Sequence, residues 1–172
     1  PFRNGEAQTM SEPVYITDVT RDQAIAQHQV KGLAFGFDPA KNIERIDELP
    51  LSIYRLLTID GEIAAGLDIY DDTQWFGGRE LRSWAIGHVA VALHHRRKGR
   101  GRELMLHMLR EARQSGVPLS VLFASTPAFY RGVGYEPAGW TCGWAVDPKR
   151  FARGAGAARI EFIGEEHHDR LR

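Results

Sequence analysis

The amino-acid sequence predicts an α/β domain built on a mixed, mostly antiparallel sheet. Residues 53–70, "IYRLLTIDGEIAAGLDIY", are typical of two strands joined at Asp60-Gly61, which is a strong hairpin signal. Residues 81–124 then suggest a strand, a glycine-containing turn, an amphipathic helix and a second strand. An antiparallel hairpin followed by a strand–helix–strand unit places both pairing directions in one sheet, with helices on its faces.

Hydrophobic periodicity and element-breaking residues predict the remaining organisation. In chain order we predict a loose leader over 1–13, a strand over 14–19, helices over 21–34 and 42–49, a loop over 71–80, a strand over 81–93 with a bulge near Gly87, a helix over 101–115, a buried strand over 118–124, one helical turn over 126–132 and a strand over 140–146. We expect one domain over 14–150. Residues 151–172 are expected to begin a linker or second domain whose remainder lies outside this chain.

Charge and cysteine content restrict the class of protein. Among 172 residues, 22 are Lys or Arg and 22 are Asp or Glu, so no overall field favours nucleic acid or a membrane surface. The single cysteine, Cys142, excludes an intrachain disulfide, and we expect it to be a small buried side chain. No signal-peptide pattern and no apolar run of about 18 residues occurs. These observations predict a cytoplasmic protein that binds neither nucleic acid nor membrane.

A local run of cations stands out against this neutral background. In "HHRRKGRGRELMLHML" (residues 94–109), cations crowd the predicted start of a helix, where the helix dipole repels them: Arg96, Arg97, Lys98, Arg100 and Arg102. Free backbone N–H groups at a helix start bind anions, and glycines allow close approach. The turn therefore predicts a pyrophosphate site. The alternative is a solvated basic loop.

Two stretches in order carry a family resemblance. "HVAVALHHRRKGRGRELM" resembles the acyl-CoA signature of the GNAT superfamily of N-acetyltransferases, and "LSVLFASTPAFYRGVGYEPAGW" is similar to its enhanced-intracellular-survival (Eis) type, N-terminal domain. The resemblance covers residues 53–146. It implies the GNAT fold, a twisted sheet flanked by helices in which a splayed central strand binds CoA.

The resemblance also implies cofactor contacts, with acetyl-CoA as co-substrate and no metal. It assigns the pantetheine arm to the backbone of Val89, Ala90 and Val91, the pyrophosphate to Arg96, Arg97, Lys98, Gly99, Arg100, Gly101 and Arg102, and a further contact to Ser125 and Thr126. An ordinary core strand is an equally valid interpretation of the valines, because side chains can pack while backbone groups bind.

Tyr130 is the candidate general acid, since the resemblance places this tyrosine near the thioester sulfur. A phenol and the departing thiolate's conjugate thiol have similar pKa values. In the resembled group the base is the C-terminal carboxylate of a further domain, and nothing in this chain matches it. Within the chain His88 is the candidate base, with a hydrogen-bonded wall residue as the alternative. Phe129 and Tyr135 are expected to be core aromatics.

The resulting functional hypothesis is transfer of acetyl from acetyl-CoA to a primary amine, either an aminoglycoside-like small molecule or a lysine side chain. The alternative is a non-catalytic acyl-CoA-binding module of a larger protein. Nucleic-acid binding would require net positive charge and aromatic platforms, which a neutral chain does not provide. Homo-oligomers are usual in the resembled family.

Other polar and aromatic residues have weaker interpretations. Acidic residues that would attract a cationic amine are Asp38, Asp68, Asp71 and Asp72, with a solvated acidic loop as the alternative for Asp71 and Asp72. Aromatic residues that would line a pocket, or fill the core, are Phe35, Phe37, Trp75 and Trp84. The pairs His94-His95 and His167-His168 predict no metal, because adjacent side chains diverge and no other ligand stands at a suitable spacing.

Overall fold

The computed structural model describes residues 11–41, 43–140, 142–143, 145–147 and 149. The chain divides into two compact units, residues 1–136 and 137–172. The regular elements of the first unit are β1 (Val14–Ile16), α1 (Arg21–Phe35), β2 (Tyr54–Ile59), β3 (Glu62–Phe76), β4 (Arg79–Val91), α2 (Arg100–Gln114), β5 (Leu119–Leu122) and α3 (Pro127–Arg131), with 3-10 turns at Ile43–Ile46, Leu51–Ile53 and Leu93–His95. Among the described helices, none combines the length and apolar character needed to cross a bilayer.

The five strands form one sheet in the order β1-β2-β3-β4-β5. Neighbours from β1 to β4 are antiparallel, whereas β5 is parallel to β4 after the α2 crossover. This is the mixed, mostly antiparallel sheet that the sequence predicts. The β2–β3 hairpin turns at Asp60 and Gly61, with φ values of 52° and 82°, which is the left-handed geometry expected of a tight two-residue turn.

Residues 71–80 do not form the predicted loop. They extend the antiparallel pairing of β3 and β4 from Asp71↔Trp84 to Phe76↔Arg79, around a turn at Gly77 and Gly78. Every residue from 71 to 80 is exposed. With neither face buried, the sequence lacks the alternation that normally marks a strand.

Two apolar clusters lie on opposite faces of the sheet. Leu56 packs with residues of α1 and its neighbourhood, whereas the next residue of β2, Leu57, packs with Leu104 and Met105 of α2. Successive strand residues point to opposite faces, so α1 and α2 cover different sides. Gln27 and Lys31 of α1 are buried against the sheet with Ala24.

Several predicted elements differ in extent. The first strand ends at Ile16 because Thr20 caps α1 with a capping box. The predicted helix over 42–49 contains one 3-10 turn, and the strand over 118–124 is shorter and only half-buried. In the second unit, the described residues of 140–146 form no strand, and Cys142 is exposed rather than buried. Residues 1–10 and 151–172, with His167 and His168, lie outside the described residues.

Candidate active site

Strand β4 separates from β5 before it ends. The last parallel pair is Ile86↔Leu122, yet β4 continues to Val91 and remains paired with β3 through Gly66↔Ala90 and Ala65↔Val91. On its other edge, the end of β4 has no strand partner among the described residues. The backbone groups of this edge are therefore available to an extended, amide-containing ligand. This is the splay expected at Val89, Ala90 and Val91.

A β-bulge marks the point of separation, beside the predicted position at Gly87. Gly66 pairs with Ala90 and Asp68 with Gly87, so two residues of β4 stand opposite Leu67 alone. His88 is one of these two residues and has a φ of 50°. Bulges re-aim side chains, and this one presents an imidazole whose side chain is 53% exposed.

The basic turn leads directly from this edge into α2. Exposed side chains at the turn are those of Arg96, Arg97, Lys98 and Arg102. Gly99 is the N-cap with a φ of 78°, and Arg97 has a φ of 62°. The first N–H groups of a helix lack intrahelical partners, so α2 presents donors and a positive dipole end beside four exposed cations.

Two arginines of the turn also bond within the protein. Arg100 donates from Nη1 to Glu103 Oε2 at 2.9 Å and is largely buried. Arg96 donates from Nε to the Val91 carbonyl at 3.4 Å. The guanidinium of Arg100 thus points along the helix toward Glu103. The group of Arg100 that remains available to an anion at the turn is its backbone N–H.

Helix α3 packs next to the start of α2. Phe129 lies against this start, and its ring meets Tyr130 edge-on at 4.9 Å between centroids. Tyr130 is 8% exposed, and burial raises the pKa of its phenol. Tyr135 is partly buried and shares a hydrogen bond with the Ser120 hydroxyl, as expected of a core aromatic. Ser125 and Thr126 are exposed between β5 and α3.

His88 has an acidic partner on the neighbouring strand. Its Nδ1 lies 2.8 Å from Oδ2 of Asp68. The ring of Phe35 meets the imidazole edge-on at 6.3 Å between centroids. Phe35 is half-exposed, so the imidazole stands at the protein surface beside an aromatic side chain.

The family model described as "Acetyltransferase (GNAT) domain" matches residues 16–138. The chain belongs to this GNAT acetyltransferase family. The end of β4, which lacks a second strand partner among the described residues, and the start of α2 thus lie in a GNAT domain.

Individual relatives agree with this assignment. An uncharacterized N-acetyltransferase of Streptomyces coelicolor is 38% identical over 74 residues, which are 43% of this chain and 18% of that protein. A crystal structure of a GCN5-related N-acetyltransferase from Anabaena variabilis superposes with a TM-score of 0.69 and 26% identity, over 74% of this chain and 33% of the other. Eis1 from Mycobacterium abscessus shares the fold, with a TM-score of 0.61 and 24% identity over 70% and 30% of the two chains. The matched part of this chain therefore spans about a fifth to a third of the length of these relatives.

The acidic residues considered for attracting an amine are already engaged. Asp68 is 2% exposed and ion-paired with Lys31, so an amine in solvent has no direct access to its carboxylate. Asp71 forms a two-point ion pair with Arg82. Asp38 and Asp72 are exposed, and each accepts a hydrogen bond from a nearby backbone N–H. Among the four acids considered, Asp68 is the one that α1 covers, so its carboxylate contacts Lys31 rather than solvent.

The four aromatic candidates have separate positions. Trp84 is 4% exposed in the core, whereas Trp75 is 71% exposed near the β3–β4 turn. Phe37 packs beside His28 at 5.2 Å between ring centroids. Phe35 is therefore the member that contacts the candidate base.

His94 and His95 do not diverge as expected from the sequence. Their ring centroids are 4.2 Å apart, and Glu62 Oε2 lies 3.7 Å from His94 Nε2. One ligand atom from each of the three residues lies within 4.8 Å of the others. Burial, followed by the charges of His94, Lys98 and Arg100, lowers the pKa of His95. The geometric reason for excluding a metal at this histidine pair is therefore not met, and the absence of a metal stays a prediction.

Proposed function

We propose that this GNAT domain transfers an acetyl group from acetyl-CoA to a primary amine. The observation that carries the proposal is the continuous path from the free edge of β4 to the start of α2. Backbone groups of Val89, Ala90 and Val91 would pair with the pantetheine amides, as an added strand does. The pyrophosphate would then reach the turn at Gly99 and Gly101.

The turn offers two kinds of phosphate contact. Backbone N–H groups of Gly99, Arg100 and Gly101 supply donors at the positive end of the helix dipole. The exposed side chains of Arg97, Lys98 and Arg102 supply mobile charge. Ser125 and Thr126 follow β5, on the other side of the splay, and would contact the cofactor arm there.

In the proposed reaction, His88 accepts a proton from the acceptor ammonium at Nε2. The neutral amine nitrogen attacks the thioester carbonyl carbon, and the tetrahedral intermediate then expels the sulfur as the C–S bond breaks. Tyr130 donates its phenolic proton to the departing thiolate and regains one that the amide nitrogen releases through water. The products are an N-acetyl amine, CoA as a thiol and one proton. No covalent acetyl-enzyme is required.

The environment of Tyr130 suits this role. Because burial raises the pKa of the phenol, Tyr130 retains its proton at neutral pH. A departing thiolate in the same low-polarity surroundings is also a stronger base than in water. The pKa of the phenol and that of the CoA thiol are therefore both raised. Because they shift in the same direction, the free energy of proton transfer between the two groups stays close to zero.

The Eis type is the finer assignment that we propose. Its support is the residue pattern from Leu119 to Trp140 and the fold shared with Eis1 from Mycobacterium abscessus. This assignment implies an aminoglycoside-like amine or a lysine side chain as acceptor. It also implies a longer protein whose further domains complete the acceptor site; in our proposal His88 takes the place of the C-terminal carboxylate that serves as base in that type.

Calorimetric titration with acetyl-CoA, followed by free-thiol release with an amine panel, tests the proposal. The panel contains an aminoglycoside, a lysine-containing peptide and a simple monoamine. Changing Arg97 and Lys98 together to alanine should weaken acetyl-CoA binding about tenfold, because charge-assisted phosphate contacts are lost. The matched control changes Arg110 and Arg113, two cations in the last part of α2, and should leave the affinity unchanged.

Binding together with amine-dependent thiol release would support the transferase. Binding without release for any amine would instead support a non-catalytic acyl-CoA-binding module. If both double variants bind acetyl-CoA as tightly as the unmodified protein does, the side chains of the turn do not bind the pyrophosphate. Failure to bind acetyl-CoA at all would falsify the proposed function.

A further inference from the structure

A buried charged cluster lies between α1 and the sheet. Lys31 Nζ is 2.7 Å from each carboxylate oxygen of Asp68, and the two side chains are 8% and 2% exposed. Gln27 Nε2 donates to Asp68 Oδ1 and to the Leu67 carbonyl, both at 3.2 Å. Desolvation of two charges offsets much of their attraction, so well-packed apolar side chains would hold α1 to the sheet equally well. The other contacts of the carboxylate therefore need an explanation.

The third partner of Asp68 is His88, the most exposed residue of the cluster. The φ of 50° at His88 is uncommon for a residue other than glycine, and such a conformation persists where its surroundings hold it. The bulge and the 2.8 Å contact with Asp68 together hold the imidazole in place. One edge of the ring thus faces a buried carboxylate, while about half of the side chain faces solvent.

Donor and acceptor counting fixes the proton on this ring. An ionised carboxylate only accepts hydrogen bonds, and Lys31 and Gln27 already donate to it. The ring nitrogen beside Oδ2 must therefore donate as well, which places the proton of neutral His88 on Nδ1 and leaves a lone pair on Nε2.

We propose that Asp68, held by Lys31 and Gln27, is a positioning residue that keeps His88 in this tautomer, with Nε2 free to accept the proton of the acceptor amine. The inference rests on the proposed function, in which His88 is the base. When the proton moves, an N–H bond of the ammonium breaks and an Nε2–H bond forms. Nδ1 keeps its own proton and its bond to Asp68 throughout.

The ionisable groups around the Asp68 carboxylate, besides His88, come from three elements: Lys31 from α1, Tyr54 from β2 and Tyr70 from β3. Burial, with the charge of Asp68, raises the pKa of Tyr54 to about 12 and also raises the pKa of Tyr70, so both phenols stay neutral. The ammonium of Lys31 lies 5.0 Å from the ring centroid of Tyr54. With Lys31 protonated and Asp68 ionised, the cluster has no net charge and orients His88 through a hydrogen bond.

The first test is nitrogen NMR of the unmodified protein at a pH where His88 is neutral, with the signals assigned by comparison with His88→Gln. We expect a protonated Nδ1 and an unprotonated Nε2. A protonated Nε2 would overturn the inference. This readout does not depend on activity, so it decides the matter even if no amine is acetylated.

The second test is kinetic. The double change Lys31→Met and Asp68→Asn removes both charges at similar volume, and an amide at position 68 both accepts and donates, so it no longer selects one tautomer. We expect kcat to fall roughly 10- to 100-fold, as is typical when a partner that orients a histidine is removed. The KM for acetyl-CoA should not change, and the NMR signals should report mixed tautomers.

The matched control is Arg21→Met with Asp47→Asn, which removes an exposed ion pair of the same helix. It should leave kcat and the His88 signals unchanged. If the folded Lys31/Asp68 variant retains both kcat and the single tautomer, Asp68 is not a positioning residue. If that variant does not fold, the unmodified protein's NMR signals decide. Absence of acetyl-CoA binding or thiol release by the unmodified protein would instead count against the proposed function.

Discussion

The ring of Phe129 and the Val91 side chain each lie 3.2 Å from the point that a Cβ on Gly101 would occupy. Gly101 is buried in the first turn of α2, Val91 ends β4, and Phe129 precedes the candidate acid. One glycine thus joins three parts of the candidate site. Its lack of a side chain sets how closely α3 and the end of β4 approach the start of α2.

We predict that Gly101→Ala disturbs this junction. The added methyl must displace Phe129 or Val91 by a few tenths of an ångström, because both contacts are tighter than normal packing. Overpacking should cost about 1–2 kcal/mol and outweigh the gain of about 1 kcal/mol in helix propensity. Urea unfolding measures the stability, and calorimetry should show weaker acetyl-CoA binding.

The control for this change is Gly139→Ala, since no described atom lies within 4 Å of a Cβ there. It should leave stability and affinity unchanged. A Gly101→Ala protein that matches the unmodified one in both measurements would mean that the junction is looser than its contacts indicate.

A second prediction concerns the ion pair that ties β2 to α2. Arg55 binds Glu111 through two nitrogens, and Tyr15 of β1 donates to the same carboxylate at 2.6 Å. The Arg55 and Glu111 side chains are 11% and 21% exposed. Arg55→Met should destabilise the fold by about 2–3 kcal/mol, because the carboxylate remains half-buried without its partner. Thermal unfolding measures this loss, and Arg21→Met, at an exposed ion pair, should cost less than about 1 kcal/mol.

The same carboxylate predicts acid sensitivity. Burial alone would raise the pKa of Glu111, but hydrogen bonds from Arg55 and Tyr15 hold it below its ordinary value. The folded state therefore binds this proton less readily than the unfolded state. The stabilisation is fully present above the unfolded pKa, about 4.3, and is lost as pH falls through the folded value. The difference in unfolding free energy between the unmodified protein and Glu111→Gln should be constant near pH 7 and should shrink in acid. A difference that grows in acid contradicts a lowered pKa for Glu111.

The predictable parts of the fold are those with local signals. The turn at Asp60-Gly61 was predicted because both residues supply left-handed geometry that few others tolerate. The strand segments between residues 71 and 80 were missed because exposure on both faces erases alternation, leaving Gly77-Gly78 as the only cue. On α1, the apolar side chain of Leu33 is 66% exposed whereas the charged Lys31 is buried, so residue polarity does not show which face of this helix meets the sheet.

The two parts of the candidate site also differed in how well the sequence predicted them. The turn and the start of α2 lie within residues 96–102, where the spacing of glycines and cations indicated them, whereas the role of the β4 edge was implied by the family resemblance. The cluster around His88 joins residues far apart in sequence, since Lys31 and Asp68 are 37 positions apart and Asp68 and His88 are 20 positions apart. Lysine is rarely buried, and no local pattern shows that Lys31 covers a carboxylate on β3. The register between β3 and β4 brings Asp68 and His88 together, and this register cannot be deduced from a single sequence.

The last prediction isolates the hydroxyl of Tyr130. If this group protonates the departing thiolate, Tyr130→Phe should lower kcat about 100-fold, since general acid catalysis contributes that order of rate. Acetyl-CoA affinity should remain unchanged, because the ring and its packing against Phe129 stay in place. Since burial raises the pKa of Tyr130, the rate of the unmodified protein should not decline through loss of the phenolic proton below about pH 10.

The matched control is Tyr135→Phe. Tyr135 lies in the same aromatic group, 6.2 Å from Tyr130 between ring centroids, and its hydroxyl bonds to Ser120. Its loss should cost about 1 kcal/mol of stability and leave kcat within a few-fold of normal. Equal kcat values for the two variants would show that the aromatic group acts only in packing, and the proton for the thiolate would then have to come from solvent. A selective loss in Tyr130→Phe would instead assign it to this hydroxyl, since the two changes remove the same atom from neighbouring rings.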